Sequence, residues 1–364
     1  MGEWKDYKLG DAIKFGNGKV RPSSVGSIPV YGGNGILDYC NEYNYVDETI
    51  IIGRVGAYCG AVYYENKPIW VSDNALAAKP KEKYIAKFLY YFLKNLGLNQ
   101  FAEGSSHPLV TQSLLNSIDV YLTEDKNEQQ SIASILSSLD DKIDLLHRQN
   151  KTLETLAETL FRQWFVEEAD ESWEIKKISD VADINSRTKS RDYPYDEIQY
   201  LDTGSITEGK VTGYQIYKLS DAPSRAQRIV IDDDIVYSLV RPIQRHYGIL
   251  HSIKNNTIAS TGFCVITCTK INSYFLYLLL TQKETVEYFD SVAEGSTSAY
   301  PSLKPSDIAN LEFLMPDKNI LEKFDRISLN TWNKIKFNQN QIHTLTQLRD
   351  TLLPKLMSGE VRVN

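Results

Sequence analysis

The sequence is poor in the features that usually announce chemistry. Its four cysteines (Cys40, Cys59, Cys264 and Cys268) are scattered over 364 residues with no Cys-x-x-Cys pair, so neither a disulfide framework nor a zinc-finger spacing is present. A chain of this length buries a sizeable core without cross-links, and free, buried thiols in a cytoplasmic protein are expected. No apolar run approaches 18 residues, and the longest, Tyr274 to Leu280, has the length of a buried helix rather than a membrane span. The opening MGEWKDYKLG is too polar for a signal peptide.

Catalytic signatures are missing as well. Gly16-Asn17-Gly18-Lys19 has the wrong spacing for a phosphate-binding loop, and Gly32-Gly33-Asn34-Gly35 reads as a turn between strands rather than a dinucleotide fingerprint. The five histidines form no His-Glu-x-x-His pattern, and there is neither a Gly-x-Ser-x-Gly elbow nor the Asn/Asp-Pro-Pro-Tyr site of amino-methyltransferases. Adjacent carboxylates on an extended chain point to different sides, so Asp232-Asp233-Asp234 reads as a solvated turn; Asp140-Asp141 reads as a solvated helix face. No metal, cofactor or catalytic constellation is expected.

There is also little basic charge for a nucleic-acid binder: 40 Lys and Arg stand against 47 Asp and Glu, net −7. The imbalance is local. Residues 124–171 alone carry −7, residues 1–123 balance, residues 172–316 carry −3 and residues 317–364 carry +3.

What the chain does contain is a duplication. Ser134 to Val166 reads as one long amphipathic helix, with apolar residues three and four apart and no internal Gly or Pro. At ~1.5 Å per residue it is roughly 50 Å long. Its apolar register recurs 192 residues later, where Ile135, Ile143, Leu153 and Leu156 match Ile327, Ile335, Leu345 and Leu348. The second copy reaches Pro354 and Ser358-Gly359, where a helix is expected to stop.

The segments ahead of the helices correspond too: Trp4, Leu9 and Asp11 with Trp173, Ile178 and Asp180; Asp47 and Arg54 with Asp234 and Arg241; Glu103-Gly104-Ser105 with Glu294-Gly295-Ser296. Glycine-punctuated β-branched runs predict strands in both globules, with helices at Ile85–Leu96 and Ser273–Val292. The fold class is α+β: two β-rich mixed domains (1–123 and 172–316) separated by two long antiparallel helices (124–171 and 317–364), related by a pseudo-twofold internal duplication.

The globule loops hold residue types suited to DNA readout, namely Arg and Lys for guanine and phosphate, Asn and Gln for adenine, Ser and Thr for either. In the first these are Lys19, Arg21, Ser23, Ser24, Arg54, Ser72, Asn74, Ser105 and Ser106. In the second they are Arg187, Lys189, Arg191, Arg225, Gln227, Arg228, Arg241, Gln244, Arg245, Ser296 and Thr297. An ordinary solvated loop residue is the plain alternative for any one of them. Recurrence at matched positions lifts the pairs Arg54/Arg241 and Ser105/Ser296 above the rest.

Certain stretches carry a family resemblance: GRVGAYCGAVYY followed by IWVSDNALAAKP, the Glu-Gly-Ser loops, EQQSIASILSSLDDKIDLL at Glu128–Leu146, and LRDTLLPKLMSGEVRV at Leu348–Val363. In this order, and duplicated, they resemble the specificity subunit of type I restriction-modification systems over essentially the whole chain. TLETLAETL at Thr152–Leu160 is similar to the short repeats of that family's central helix. The resemblance implies two target-recognition domains, each reading one half of a bipartite, asymmetric site on double-stranded DNA. It implies that the helices act as a ruler and dock two methyltransferase subunits, that motor-nuclease subunits join them, and that catalysis resides in all of these partners. The second helix departs from the pattern, opening with Ile320-Leu321-Glu322 in place of Glu-Gln-Gln. A stand-alone DNA-binding scaffold, and a nuclease or methyltransferase with a degenerate site, are the alternatives.

Overall fold

The repeated sequence register is a repeated strand order in the computed structural model, which describes residues 2–104, 108–296 and 300–363. The chain divides into two units, Met1–His147 with Asn340–Asn364, and Arg148–Gln339. Each long helix therefore contributes one segment to each unit.

In the first unit, Trp4–Lys8 pairs antiparallel with Asp119–Thr123. A four-stranded antiparallel sheet runs Ile13–Asn17, Ala75–Pro80, Thr49–Gly53, Val62–Glu65, and a smaller one runs Gly35–Cys40, Ile28–Gly32, Trp70–Val71. The second unit repeats the plan. Glu174–Lys177 pairs with Glu312–Met315, and its four-stranded sheet runs Ala182–Ile184, Phe263–Cys268, Ile235–Ser238, Tyr247–Ile249. Its other sheet is larger: Gln215–Lys218, Glu197–Leu201, Thr257–Ser260, Ala226–Ile229.

The uninterrupted apolar runs arise because the central strands are buried on both faces. Ile50 and Ile52 pack toward Phe88, Leu89 and Phe92 of the helix Ala86–Leu96, while Ile51 faces Tyr31, Ile69 and Val71. Likewise Ile235 and Tyr237 face one cluster and Val236 the other. The matched Asp11 and Asp180 also have one shared role. Each carboxylate accepts the backbone N–H three residues upstream, from Lys8 (3.0 Å) and Lys177 (2.8 Å), closing the N-terminus of a one-turn helix.

The central helix spans Lys126–Arg162, starting earlier than expected, and passes into a π-turn at Gln163–Glu167. The C-terminal helix spans Lys318–Met357 and carries Pro354 inside its last turn, ending with Gly359 at φ +70°. The expected helix Ser273–Val292 is two, Ser273–Thr281 and Lys283–Glu294, broken at Gln282, whose ψ of 143° is extended.

Within each unit the two long helices run antiparallel. Ile132 and Leu136 share a core with Leu356 and Met357 in the first unit, where Arg349 bonds Asp140 at 2.8 Å. In the second, Phe161 meets Phe324 at 6.0 Å between ring centroids, and Asn338 donates to Asn150 at 2.8 Å. Asp140 also accepts from Tyr91 at 2.8 Å, so it is a packing residue and not the solvated one expected.

The Glu-Gln-Gln opening has a structural purpose. Glu128 is buried and receives Arg362 (2.9 Å), the Trp4 indole N–H (3.3 Å) and the Gly2 backbone N–H (3.2 Å). Gln129 is buried and accepts from Ile85 while donating to Lys83 and Thr123. All four cysteines are free. Among the described residues no helix is long and apolar enough to cross a membrane.

Candidate nucleic-acid interface

In the first unit four loops meet at one end of the sheet. Gly53 ends its strand with no space for a side chain, since a Cβ would lie 2.4 Å from the Tyr58 oxygen. The next residue, Arg54, donates its backbone N–H to Asn74 (3.0 Å), and its carbonyl accepts from Val110 (3.0 Å). Lys19 is fixed by its own N–H to Val71 (3.0 Å), beside Gly18, which lies too close to Ser72 for any side chain. Lys19, Arg54 and Asn74 are thus brought together with the segment leaving the Glu-Gly-Ser loop. Lys19 and Asn74 are exposed and Arg54 is half-buried, its Nε buried without a hydrogen-bond partner.

Arg21, Ser23 and Ser24 lie on a separate arm. Arg21 is ion-paired to Asp38, and Ser24 donates to Glu42 at 3.3 Å. Ser72 needs correcting: it is 2% exposed, its backbone closes the turn to Ala75, and its hydroxyl faces the interior. Ser105 and Ser106 lie outside the described residues.

The second unit builds the same corner with different residues. Leu239 donates to Gly262 (2.8 Å), Thr261 donates to Arg225 (2.8 Å), and Arg241 donates to Pro301 (3.1 Å) after the second Glu-Gly-Ser loop. Arg225, Arg241 and Ser296 therefore converge, and Gln244 and Arg245 follow in the turn after Arg241. Ser296 accepts from the Ser302 N–H at 3.3 Å; Thr297 lies outside the described residues. The segment carrying Lys189 and Arg191 is laid along the strand of Gln227 and Arg228, with Lys189 donating to Gln227 (2.8 Å) and Arg228 to Thr188 (3.4 Å).

Arg187 is not a free loop residue. Its guanidinium bonds Asp234 and Thr267 (2.9 Å), and Thr267 in turn donates to Asp234 (2.7 Å). The Asp234 side chain is 1% exposed and that of Arg187 29%, so a half-buried arginine covers a buried acid, and Asp234 is not part of a solvated run. The match of Asp234 to Asp47 carries no shared role, because Asp47 is exposed.

Charge is distributed unevenly at these corners. Lys19, Arg54, Arg191 and Arg225 form no salt bridge among the described residues, whereas Arg245 is held by Glu208 at 2.8 Å. That hydrogen bond raises the Arg245 pKa further, so the group is permanently cationic but locally neutralised. Sequence reasoning missed Glu208 and also Tyr300, whose ring lies 5.1 Å from the Arg241 guanidinium. No sequence spacing links Tyr300 to Arg241; only the fold does. The corners hold cations, amides and hydroxyls on rigid strand ends, a composition for contacting base edges and phosphates. No His/Cys/Asp/Glu cluster with metal-holding geometry occurs among the described residues.

The model of the type I restriction modification DNA specificity domain matches residues 1–155 and 170–344. Among similar proteins, the MjaIX specificity subunit of a type I restriction enzyme from Methanocaldococcus jannaschii is 27% identical over 84% of this chain and 76% of its own length. The MjaVIII specificity subunit of the same organism is 24% identical over 99% and 93%. The crystal structure of a type I restriction-modification S subunit from M. genitalium aligns with TM-score 0.67, at 18% identity, over 98% of this chain and 96% of that one. Two family matches, falling on the two halves of an internally duplicated chain, place it: the protein belongs to the type I restriction modification DNA specificity domain family and carries the domain twice.

Proposed function

We propose that the chain is the non-catalytic DNA specificity subunit of a type I restriction-modification complex in the cytoplasm. Residues 1–123 and 172–316 are its two target-recognition domains, each reading one half of a bipartite, asymmetric site. Residues 124–171 and 317–364 form the helices that set the unread spacer and dock methyltransferase subunits, with motor-nuclease subunits completing the assembly. The observation that carries this reading is the repeated corner. In both halves the residue after the matched strand, Arg54 or Leu239, is bonded to the segment leaving a Glu-Gly-Ser loop, and an arginine lies beside that segment: Arg54 itself in the first half, and Arg241, two residues further on at the place of Gly56, in the second. Lys19, Asn74 and Arg54 supply polar groups on one side; Arg225, Arg241 and Gln244 do so on the other, joined by Lys189, Arg191, Gln227 and Arg228. Arg21, Ser23 and Ser24 extend the first surface.

One feature of the helices favours partners, and favours two of them. Leu156 and Leu348 occupy matched positions, 192 residues apart, yet are 48% and 45% exposed. Packing between the helices does not preserve such residues; a protein surface repeated on each helix does. A 37-residue helix is about 55 Å long, comparable to ~16 base pairs, enough to keep two recognition domains on separate groove segments.

The test is to express the chain with its methyltransferase partner and map methylated bases across a genome. A bipartite, asymmetric motif with a fixed unread gap is expected. A continuous or palindromic motif, or methylation that persists without this chain, contradicts the reading.

A further inference from the structure

The second unit gathers three strained residues around one turn. Among the described residues six non-glycine residues have positive φ: Asn185, Glu208, Asp233, Arg241, Arg245 and Ser252. Asn and Asp adopt that region readily, but arginine and glutamate do not. Arg241 (φ +48°) and Arg245 (φ +56°) flank the short turn Pro242–Gln244, and Glu208 (φ +46°) braces it. In the first unit, the region after Arg54 meets the same need with a glycine, Gly56 at φ +77°. Glycine at 241 or 245 would adopt the same φ without that cost. Arginine in a strained conformation points to a demand on the side chain.

The turn is fixed on three sides. Arg241 donates its N–H to Pro301 (3.1 Å), Ile243 donates to Asp290 (3.2 Å), and Glu208 donates to the Arg245 carbonyl (2.9 Å) while its carboxylate holds the Arg245 guanidinium (2.8 Å). Arg241 itself is exposed, with its guanidinium over the face of Tyr300, which is also exposed. This cation–π contact favours one placement of the guanidinium beside the ring, which biases the direction of its N–H groups before any ligand arrives. Such a fork suits the O6 and N7 acceptors of guanine, and it also fits two oxygens of a phosphate, so the surrounding charge decides between them. Glu208 beside Arg245 lowers the local positive potential, which disfavours a phosphate clamp and leaves a near-neutral surface for base edges.

We propose that the turn Arg241–Arg245 is a base-reading element of the second recognition domain, with Arg241 contacting a guanine in the major groove and Tyr300 acting as its positioning residue. This rests on the function proposed above and adds the element, the base and the residue that aims the contact.

The experiment compares wild type with Arg241→Gly, Arg241→Lys, Tyr300→Ala and Tyr300→Phe in the complete complex. It reads the methylation motif in cells and the melting temperature of the purified chain. Arg241→Gly relieves the strained φ, so its melting temperature is expected to hold or rise while one guanine position in one half-site becomes degenerate, the preference falling about ten- to a hundredfold. Arg241→Lys keeps the charge but loses the same preference. Tyr300→Ala weakens it without abolishing it, and Tyr300→Phe restores it because the ring face remains. Uniformly weaker methylation with every motif position retained identifies a phosphate contact and overturns the proposal. An unchanged motif in Arg241→Gly, or a loss explained by a lowered melting temperature, also overturns it. If the wild-type complex itself yields no bipartite motif, the function proposed above has failed and this inference falls with it.

Discussion

At Arg187 and Asp234 residue types suited to a polar surface are tied to each other instead, the acid buried and the arginine half-buried. Both sat in runs that read as polar loops, and the fold folds one of them over the other with Thr267 as a third partner. His251 shows the opposite kind of burial. Its side chain is 10% exposed, with Nδ1 3.1 Å from Asp233. Burial holds its pKa below the ordinary 6.5; Lys336 lowers it too, while Asp233 and Asp232 pull it upward without prevailing. As the pH falls below about 6.5 the unfolded chain takes up this proton before the folded chain does. Stability contributed by neutral His251 is therefore lost from there down through the folded pKa. In His251→Gln the melting temperature should fall less than in wild type between about pH 7.5 and about pH 5.5. Equal falls would show that the histidine is not the group responsible.

Among the elements, the long helices were the most legible and their partners the least. A stripe at three- and four-residue spacing identifies a helix whatever it packs on, so Ile135, Leu136, Leu146 and Phe161 were readable. Which face meets which neighbour was not. Leu156 and Leu348 kept the stripe yet remain at the surface, and the polar Asn150 and Asn338 are buried where the stripe predicts nothing. Their bond is 2.8 Å, and the remaining Asn338 oxygen is buried without a partner. Asn338→Leu alone should cost about 1–3 kcal/mol, because it strands the Asn150 amide. The double replacement of both by leucine should recover most of that loss. A double-mutant cycle measures the coupling, and independent, additive single effects would contradict a shared bond.

The recognition corners were half legible for a related reason. Alignment of the chain with itself finds the right corner but pairs Arg54 with Arg241, whereas the backbone hydrogen bonds put Leu239 at the place of Arg54 and Arg241 at that of Gly56. Tyr300 beside Arg241, Glu208 beside Arg245 and the burial of Ser72 depend on loops whose ends the sheet brings together, over separations that leave no periodic trace. Gly18 and Gly53 were visible only as turn residues, although each is required by a backbone passing too close for a Cβ.

For the molecule as a whole, the net charge of −7 described one helical region rather than a ligand. That region's acids include Asp140 and Glu128, which bond Arg349 and Arg362 of the C-terminal stretch within the first unit. The globules are near neutrality, residues 1–123 balanced and residues 172–316 at −3. Base-edge recognition needs aimed donors and acceptors more than it needs charge, and partner subunits are then expected to supply the phosphate neutralisation. Two copies of one strand order, each presenting a comparable corner, make the central claim: one domain, one half-site. The most direct measurement replaces residues 172–316 with the corresponding segment of another member of the family and maps the methylated motif of the assembled complex. One half-site should change while the other half-site and the spacer remain as they were; a change in both halves, or in neither, would contradict the account.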